Sequence, residues 1–185
     1  MMRFWFVFMS MFLPVICWGQ IIVKETGGMA AFPLVSSHKT VIYYDAGDYG
    51  VVEKTACLLA EDIKRVTNKK VPVSSKKVSS EYAVVVGTVG HNAFIDRLVA
   101  EGQLDVSAIR GGWAQFVVKT IDDPAKGVKK VLVIAGCDRR GTAYGVFTLS
   151  EAIGVSPLYW WADVPTKRKS QLYICLLYTS DAADD

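Results

Sequence analysis

The sequence predicts a mixed α/β fold: a mixed sheet with three helices packed on it. Three observations predict it. Apolar residues recur at helical spacing in three separate segments, β-branched runs of strand length lie between them, and turn residues mark each change of period. The inferred order is strand, helix, short strand, strand, helix, hairpin, helix, which is not a strict βαβ repeat. The 185 residues are 51% hydrophobic and 21% charged, a globular balance that argues against disorder. A body of ~150 residues buries roughly 70% of its unfolded surface and needs no staples to fold.

Each element has its own justification. Thr40-Val-Ile-Tyr-Tyr44 is β-branched and aromatic, hence a strand, and Asp45-Ala-Gly-Asp48 turns the chain. Val52, Ala56, Leu59, Ile63 and Val66 then fall on one helical face, and the helix closes near Thr67 with Asn68 and lysines beyond. Val71-Pro-Val73 reads as an edge strand, because Pro72 cannot donate to a central ladder. Tyr82–Val86 is a continuous apolar run, a buried strand. The turn Gly87-Thr-Val-Gly90 leads into a second helix with an apolar face of Phe94, Leu98 and Ile95, stopped by Gly102. Ala114–Ile121 and Lys130–Ala135 form a hairpin, with Asp123-Pro124 and Gly127 in its turn. Ala143, Val146, Leu149 and Ile153 mark the third helix, which Gly154 caps. There is no internal repeat and no low-complexity stretch.

Both termini stand apart from this body. Arg3 precedes an apolar run from Phe4 to Trp18 that ends at Gly19, so residues 1–19 are expected to be a secretory signal peptide. The run is shorter than the ~20 residues of a spanning helix, against a membrane anchor, and bulky Ile16 argues against lipid attachment at Cys17. Residues 175–185 have no relation to what precedes them and look like a sequencing-library adapter translated in frame. The expected division is a signal at 1–19, an irregular lead-in at 20–36, the α/β domain at 37–165, a linker start at 166–174 and the extraneous tail. Without Arg3 and the tail's three aspartates the body holds 20 basic and 15 acidic residues, scattered rather than striped, which does not call for a nucleic-acid partner. Cys57 and Cys137 are the cysteines of the body, expected as two buried free thiols, with a disulfide as the alternative.

Few residues carry chemistry. Gly87–Gly90 lacks the third glycine of a dinucleotide loop and the Gly-Lys-Ser/Thr of a phosphate loop, so it reads as a tight turn. His38 and His91 have no partner at ligand spacing, and His91 reads as a surface or capping residue. No Cys/His spacing suggests zinc. In Asp138-Arg139-Arg140-Gly141, Asp138 caps a helix, while Arg139 and Arg140 either grip a carboxylate in the manner a uronic acid needs or pair with Asp138 or Glu151. Tyr159-Trp160-Trp161-Ala162-Asp163 offers rings that stack on sugars and a carboxylate for hydroxyls, or equally an anchor between domains. The candidate substrate-binding residues are therefore Trp160, Trp161, Asp163, Arg139 and Arg140. A glycosidase needs two carboxyl groups about 5–10 Å apart across one bond, and no such pair can be nominated.

From Ser37 to Ile174 the chain resembles the N-terminal domain of glycoside hydrolase family 115, the xylan α-glucuronidases. The resemblance rests on Val85-Val-Gly-Thr-Val-Gly90, Ile109-Arg-Gly-Gly-Trp113, Val133–Gly145, Leu149–Pro157 and Tyr159-Trp-Trp-Ala-Asp-Val-Pro165. It implies an accessory domain similar to domain 2 of β-hexosaminidase-like glycosidases, packed beside a catalytic (β/α)8 barrel that this sequence does not reach. It also implies removal of (4-O-methyl-)glucuronic acid side chains from glucuronoxylan, with inversion and no cofactor, by a secreted or periplasmic parent. The catalytic residues would lie in that barrel, and none carries over to this chain. Two positions depart from the family pattern: Ala114 stands where Glu is usual and Leu158 where Trp is usual. The alternatives are the accessory domain of a β-hexosaminidase-type enzyme and a free-standing carbohydrate-binding module.

Overall fold

The computed structural model describes residues 20–28, 30–162 and 164–177, with Gln20, Trp160 and Leu177 described by backbone alone. The expected signal peptide lies outside the described residues, as does the tail beyond residue 177.

A five-stranded sheet organises the molecule. Its strands are β3 (Thr40–Tyr43), β4 (Val73–Ser74), β5 (Tyr82–Thr88), β6 (Phe116–Ala125) and β7 (Val128–Gly136), in the spatial order β4-β3-β5-β7-β6. β4, β3, β5 and β7 are parallel, and β6 returns antiparallel to β7. The sheet is thus mixed, as the sequence predicts, and Pro72 leads into an edge strand. Three helices cover it: α1 (Gly50–Thr67), α2 (Ala93–Ala100) and α3 (Arg139–Ile153), followed by the single turn α4 (Tyr159–Ala162).

The core has two faces because strand side chains alternate. On one, Val84, Val86, Leu132 and Ile134 meet Val52, Ala56, Leu59, Ile63 and Val66 of α1 and Val146, Leu149 and Ile153 of α3. All five residues expected on α1's apolar face are fully buried. On the other, Ala83, Val85, Val131 and Val133 meet Ile95 and Leu98 of α2 together with Leu104 and Val106. A central strand buried on both sides has no polar face to show, hence the unbroken apolar run Ala83–Val86. Burying a side chain such as Leu59 or Leu98 stabilises the fold by about 2 kcal/mol.

Five expectations change. The lead-in at 20–36 is not irregular: it holds β1 (Gln20–Lys24) and β2 (Phe32–Val35), which flank β8 (Leu172–Leu177) in a second, antiparallel sheet of order β1-β8-β2. Phe32, Leu34, Leu172 and Ile174 add to the α1/α3 side of the core. β8 also runs past Ile174, pairing Cys175, Leu176 and Leu177 with Ile22, Ile21 and Gln20. On α2 the buried pair is Ile95 and Leu98, with Phe94 half-exposed. The hairpin turn is only Lys126-Gly127; β6 continues through Asp123, whose φ of 48° marks a bulge between Asp122 and Ala125. Finally, Cys57 and Cys137 are free, but Cys57 is exposed, one position off α1's buried face, and Cys137 is half-buried.

Candidate functional site

Because β3, β5 and β7 run parallel, their carboxyl ends open on the same side, and the loops entering α1, α2 and α3 converge there. This is the edge of an open α/β sheet at which ligands bind. The antiparallel β6 brings its own entry loop, Gly111–Gln115, to the same place, since Phe116 pairs with Gly136 at the end of β7.

Short polar side chains tie these loops together through backbone amides. Asp48 Oδ2 accepts from Thr88 N at 2.7 Å and Asp45 Oδ2 from Ala93 N at 3.1 Å, so the β3–α1 loop holds the entry to α2. Asn92, rather than His91, caps α2: its Oδ1 accepts from the amides of Phe94 and Ile95. Thr142 Oγ1 lies 2.9 Å from Thr88 Oγ1 and donates to Gly87 O at 3.1 Å, joining α3 to β5. Asp138 is the busiest of these residues. Its Oδ1 accepts from Gly141 N at 2.7 Å, capping α3, while Oδ2 accepts from Ala114 N at 3.0 Å and so pins the loop before β6. These amide hydrogen bonds, that of Gly141 foremost, hold the Asp138 carboxyl below its ordinary pKa.

Above this network lies an open cleft of about 390 Å3 lined by Tyr49, Trp113, Asp138, Arg139 and Arg140. Trp113 is 74% exposed, and the Arg140 guanidinium carbon sits 5.0 Å from its ring centroid, within cation–π range. On the near side Tyr49 packs against His91 with ring centroids 4.5 Å apart, and its hydroxyl lies 3.0 Å from His91 Nε2. Neither Arg139 nor Arg140 forms an ion pair among the described residues. The pairing with Asp138 or Glu151 that the sequence left open does not form. Asp138 spends both oxygens on backbone amides instead.

The predicted site residues whose side chains are described, Arg139, Arg140 and Trp161, do not come together. Arg139 and Arg140 open α3 at the carboxyl end of the sheet. Trp161 sits in α4, beyond the other end of that 15-residue helix, roughly 20 Å away along its axis. There Tyr159 stacks beneath the Arg65 guanidinium at 5.1 Å, in the last turn of α1, and Trp161 is 88% exposed. The Trp160 side chain and Asp163 lie outside what is described. Sequence reasoning did not place Tyr49 at the site, and it used Trp113 only as a landmark of the resemblance. The sequence hint for Trp113 was the glycine pair before it, which leaves a large ring on an exposed turn.

No protein-family model matches the chain, and no curated protein matches it. Among solved structures the chain is similar to one described as a novel family GH115 4-O-methyl-alpha-glucuronidase, BtGH115A, with specificity for decorated arabinogalactans. The identity is 30% and the TM-score 0.61, over 76% of this chain and 17% of that one. CpGH84D matches at 11% identity and a TM-score of 0.48, over 84% of this chain and 22% of that chain. A Streptomyces plicatus N-acetyl-beta-hexosaminidase matches at 12% and 0.36, over 80% and 23%. The first match alone bears on relationship. The chain has a GH115-like fold and is related to a glycoside hydrolase, of which it spans under a fifth.

Proposed function

We propose that this chain is the N-terminal accessory domain of a secreted or periplasmic glycoside hydrolase that removes (4-O-methyl-)glucuronic acid side chains from a plant polysaccharide such as glucuronoxylan. The observation that carries the reading is the 30% identity to a 4-O-methyl-alpha-glucuronidase over three-quarters of the chain. The chemistry of the cleft agrees with an accessory role. Glycoside hydrolysis needs a carboxylic acid and a second carboxylate across the bond. The cleft lining includes one carboxyl group, Asp138, and its amide partners keep it ionised, which suits a cap and not a proton donor. The bond-breaking acids therefore belong to a further domain, a barrel against which this one packs, and no metal or cofactor is required of these residues.

The test is to compare the chain with the protein encoded by the uninterrupted reading frame beyond Ile174. The longer protein is expected to release uronic acid from glucuronoxylan and the chain alone to release none. Release by the chain itself, or a genuine stop codon just after Ile174, overturns the reading.

A further inference from the structure

We propose that the outward face of α3 pairs with the same face of a second copy of this chain, as two antiparallel helices about a two-fold axis. The proposal goes beyond the glycosidase reading and does not rest on it. Val146, Leu149 and Ile153 turn one side of α3 to the core. At about 100° per residue, Arg140, Tyr144, Phe147 and Glu151 fall on the opposite side, within about 60° of one another. All four are exposed, and Tyr144 and Phe147 keep 52% and 46% of their surface in water. Beside Arg140 the exposed Trp113 ring continues the patch. Rings gathered on one exposed face, rather than scattered singly, mark a surface that another molecule covers.

The order of charge along this face selects the occupant. The centre of the stripe falls between Gly145 and Val146, with Tyr144 and Phe147 equally far on either side and Arg140 and Glu151 equally far beyond them. Reversed against itself, the stripe sets each Arg140 opposite Glu151 of the other copy and each Tyr144 opposite Phe147. A two-fold contact requires such self-complementarity. A parallel pair would oppose arginine to arginine and glutamate to glutamate. Within the chain neither Arg140 nor Glu151 forms an ion pair among the described residues. Arg140 lies over Trp113, which engages the face of the guanidinium and leaves its edge N–H groups for a carboxylate. Nor do these charges serve their own helix. α1 and α2 carry an acid in the first turn and a base in the last, as the helix dipole favours, whereas α3 has neither. Arg140 stands near its amino end and Glu151 near its carboxyl end, the reverse order, which antiparallel pairing converts into attraction at both ends. A helix of 15 residues is roughly 22 Å long and 10 Å wide. The strip lies below the ~800 Å2 per partner of a standard interface, so the dimer is a weak one.

Sedimentation equilibrium of the full chain, at low ionic strength and over two decades of concentration, tests the pairing. A monomer–dimer equilibrium is expected, with a Kd on the order of 100 μM. Glu151→Arg sets like charges opposite each other at both ends and is expected to weaken dimerisation more than about tenfold, as is Arg140→Glu. The double variant Arg140→Glu/Glu151→Arg restores the complement and should dimerise within about threefold of the parent. Phe147→Ala should weaken the dimer about tenfold. Unchanged melting temperatures would show that each variant is folded; if Phe147→Ala is not, the charge variants decide. A chain that stays monomeric throughout, a dimer indifferent to both single charge reversals, or a double variant no better than either single one would overturn the proposal. So would a longer protein that is monomeric and loses melting temperature on Glu151→Arg, because a following domain would then hold this face. Loss of the dimer with uronic acid still released by the longer protein removes the pairing and spares the glycosidase reading. A dimer without such release does the reverse.

Discussion

The two ends of the central sheet differ in how they are held. At the carboxyl end Asp45, Asp48, Asn92, Asp138 and Thr142 cross-link loops that are 40 to 55 residues apart or cap the helices those loops enter. At the opposite end α4 is a single turn, anchored through Tyr159 on Arg65, with Trp161 outside. Both ends expose aromatic rings, so aromatic content alone does not distinguish them. What distinguishes them is fixation together with charge: at the carboxyl end a ring and two guanidiniums sit on loops whose amides are already spoken for.

Substitutions can break that comparison. The largest effect is expected at Gly141, where an added Cβ would strike the Gln115 backbone carbonyl, a neighbour with no side-chain freedom to yield. Gly141→Val should cost about 3 kcal/mol, lowering the melting temperature by roughly 10 °C. Asp138→Ala comes next, because it loses a helix cap and a loop anchor together: about 2 kcal/mol by urea titration at pH 7. This contribution depends on pH with a definite sign. The folded-state pKa of Asp138 is depressed, so its stabilisation is complete above the unfolded value of about 3.9 and fades as pH falls through the lower folded value. Asp138→Asn, which keeps an acceptor for the cap, should fall short of the parent at pH 7 and approach it as pH falls through the depressed folded-state value. Asp48→Ala, losing one loop-to-loop bond, should cost about 1 kcal/mol and speed hydrogen exchange at the Thr88 amide that Asp48 accepts from. Trp161→Ala should change stability by less than about 0.5 kcal/mol. If it cost as much as Asp138→Ala, the contrast between the two ends would fail.

The fold was legible where period and length cooperate. The 18 residues of α1 carry five apolar positions at steady spacing, and all five are buried. α2 has eight residues, too few for its period to separate Phe94 from Ile95, and the cap at Asn92 then settled its facing. β1 and β2 escaped notice because their partner, β8, lies 137 to 157 residues away, and a strand whose pairing is that remote has no local signature beyond a few apolar residues. The bulge at Asp123 was hidden too, since Asp-Pro reads locally as a turn. At the site, Arg139 and Arg140 were legible as a motif at a helix start. Their meeting with Tyr49 and Trp113 was not, because it depends on the parallel order of β3, β5 and β7 bringing distant loops to one edge. Grouping Arg139 and Arg140 with Trp161 failed for another reason: α3, itself legible in the sequence, holds the arginines and Trp161 apart by its length.

The carboxyl end of the sheet is the held end of this molecule and the aromatic exit turn the loose one, and amide hydrogen exchange of the 15N-labelled chain reads that difference. The Thr88, Ala114 and Gly141 amides, which donate to Asp48 and Asp138, are expected to exchange slowly, and the single-turn amides of Trp161 and Ala162 fast. Protection at Trp161 and Ala162 equal to that at Thr88, Ala114 and Gly141 would refute the contrast.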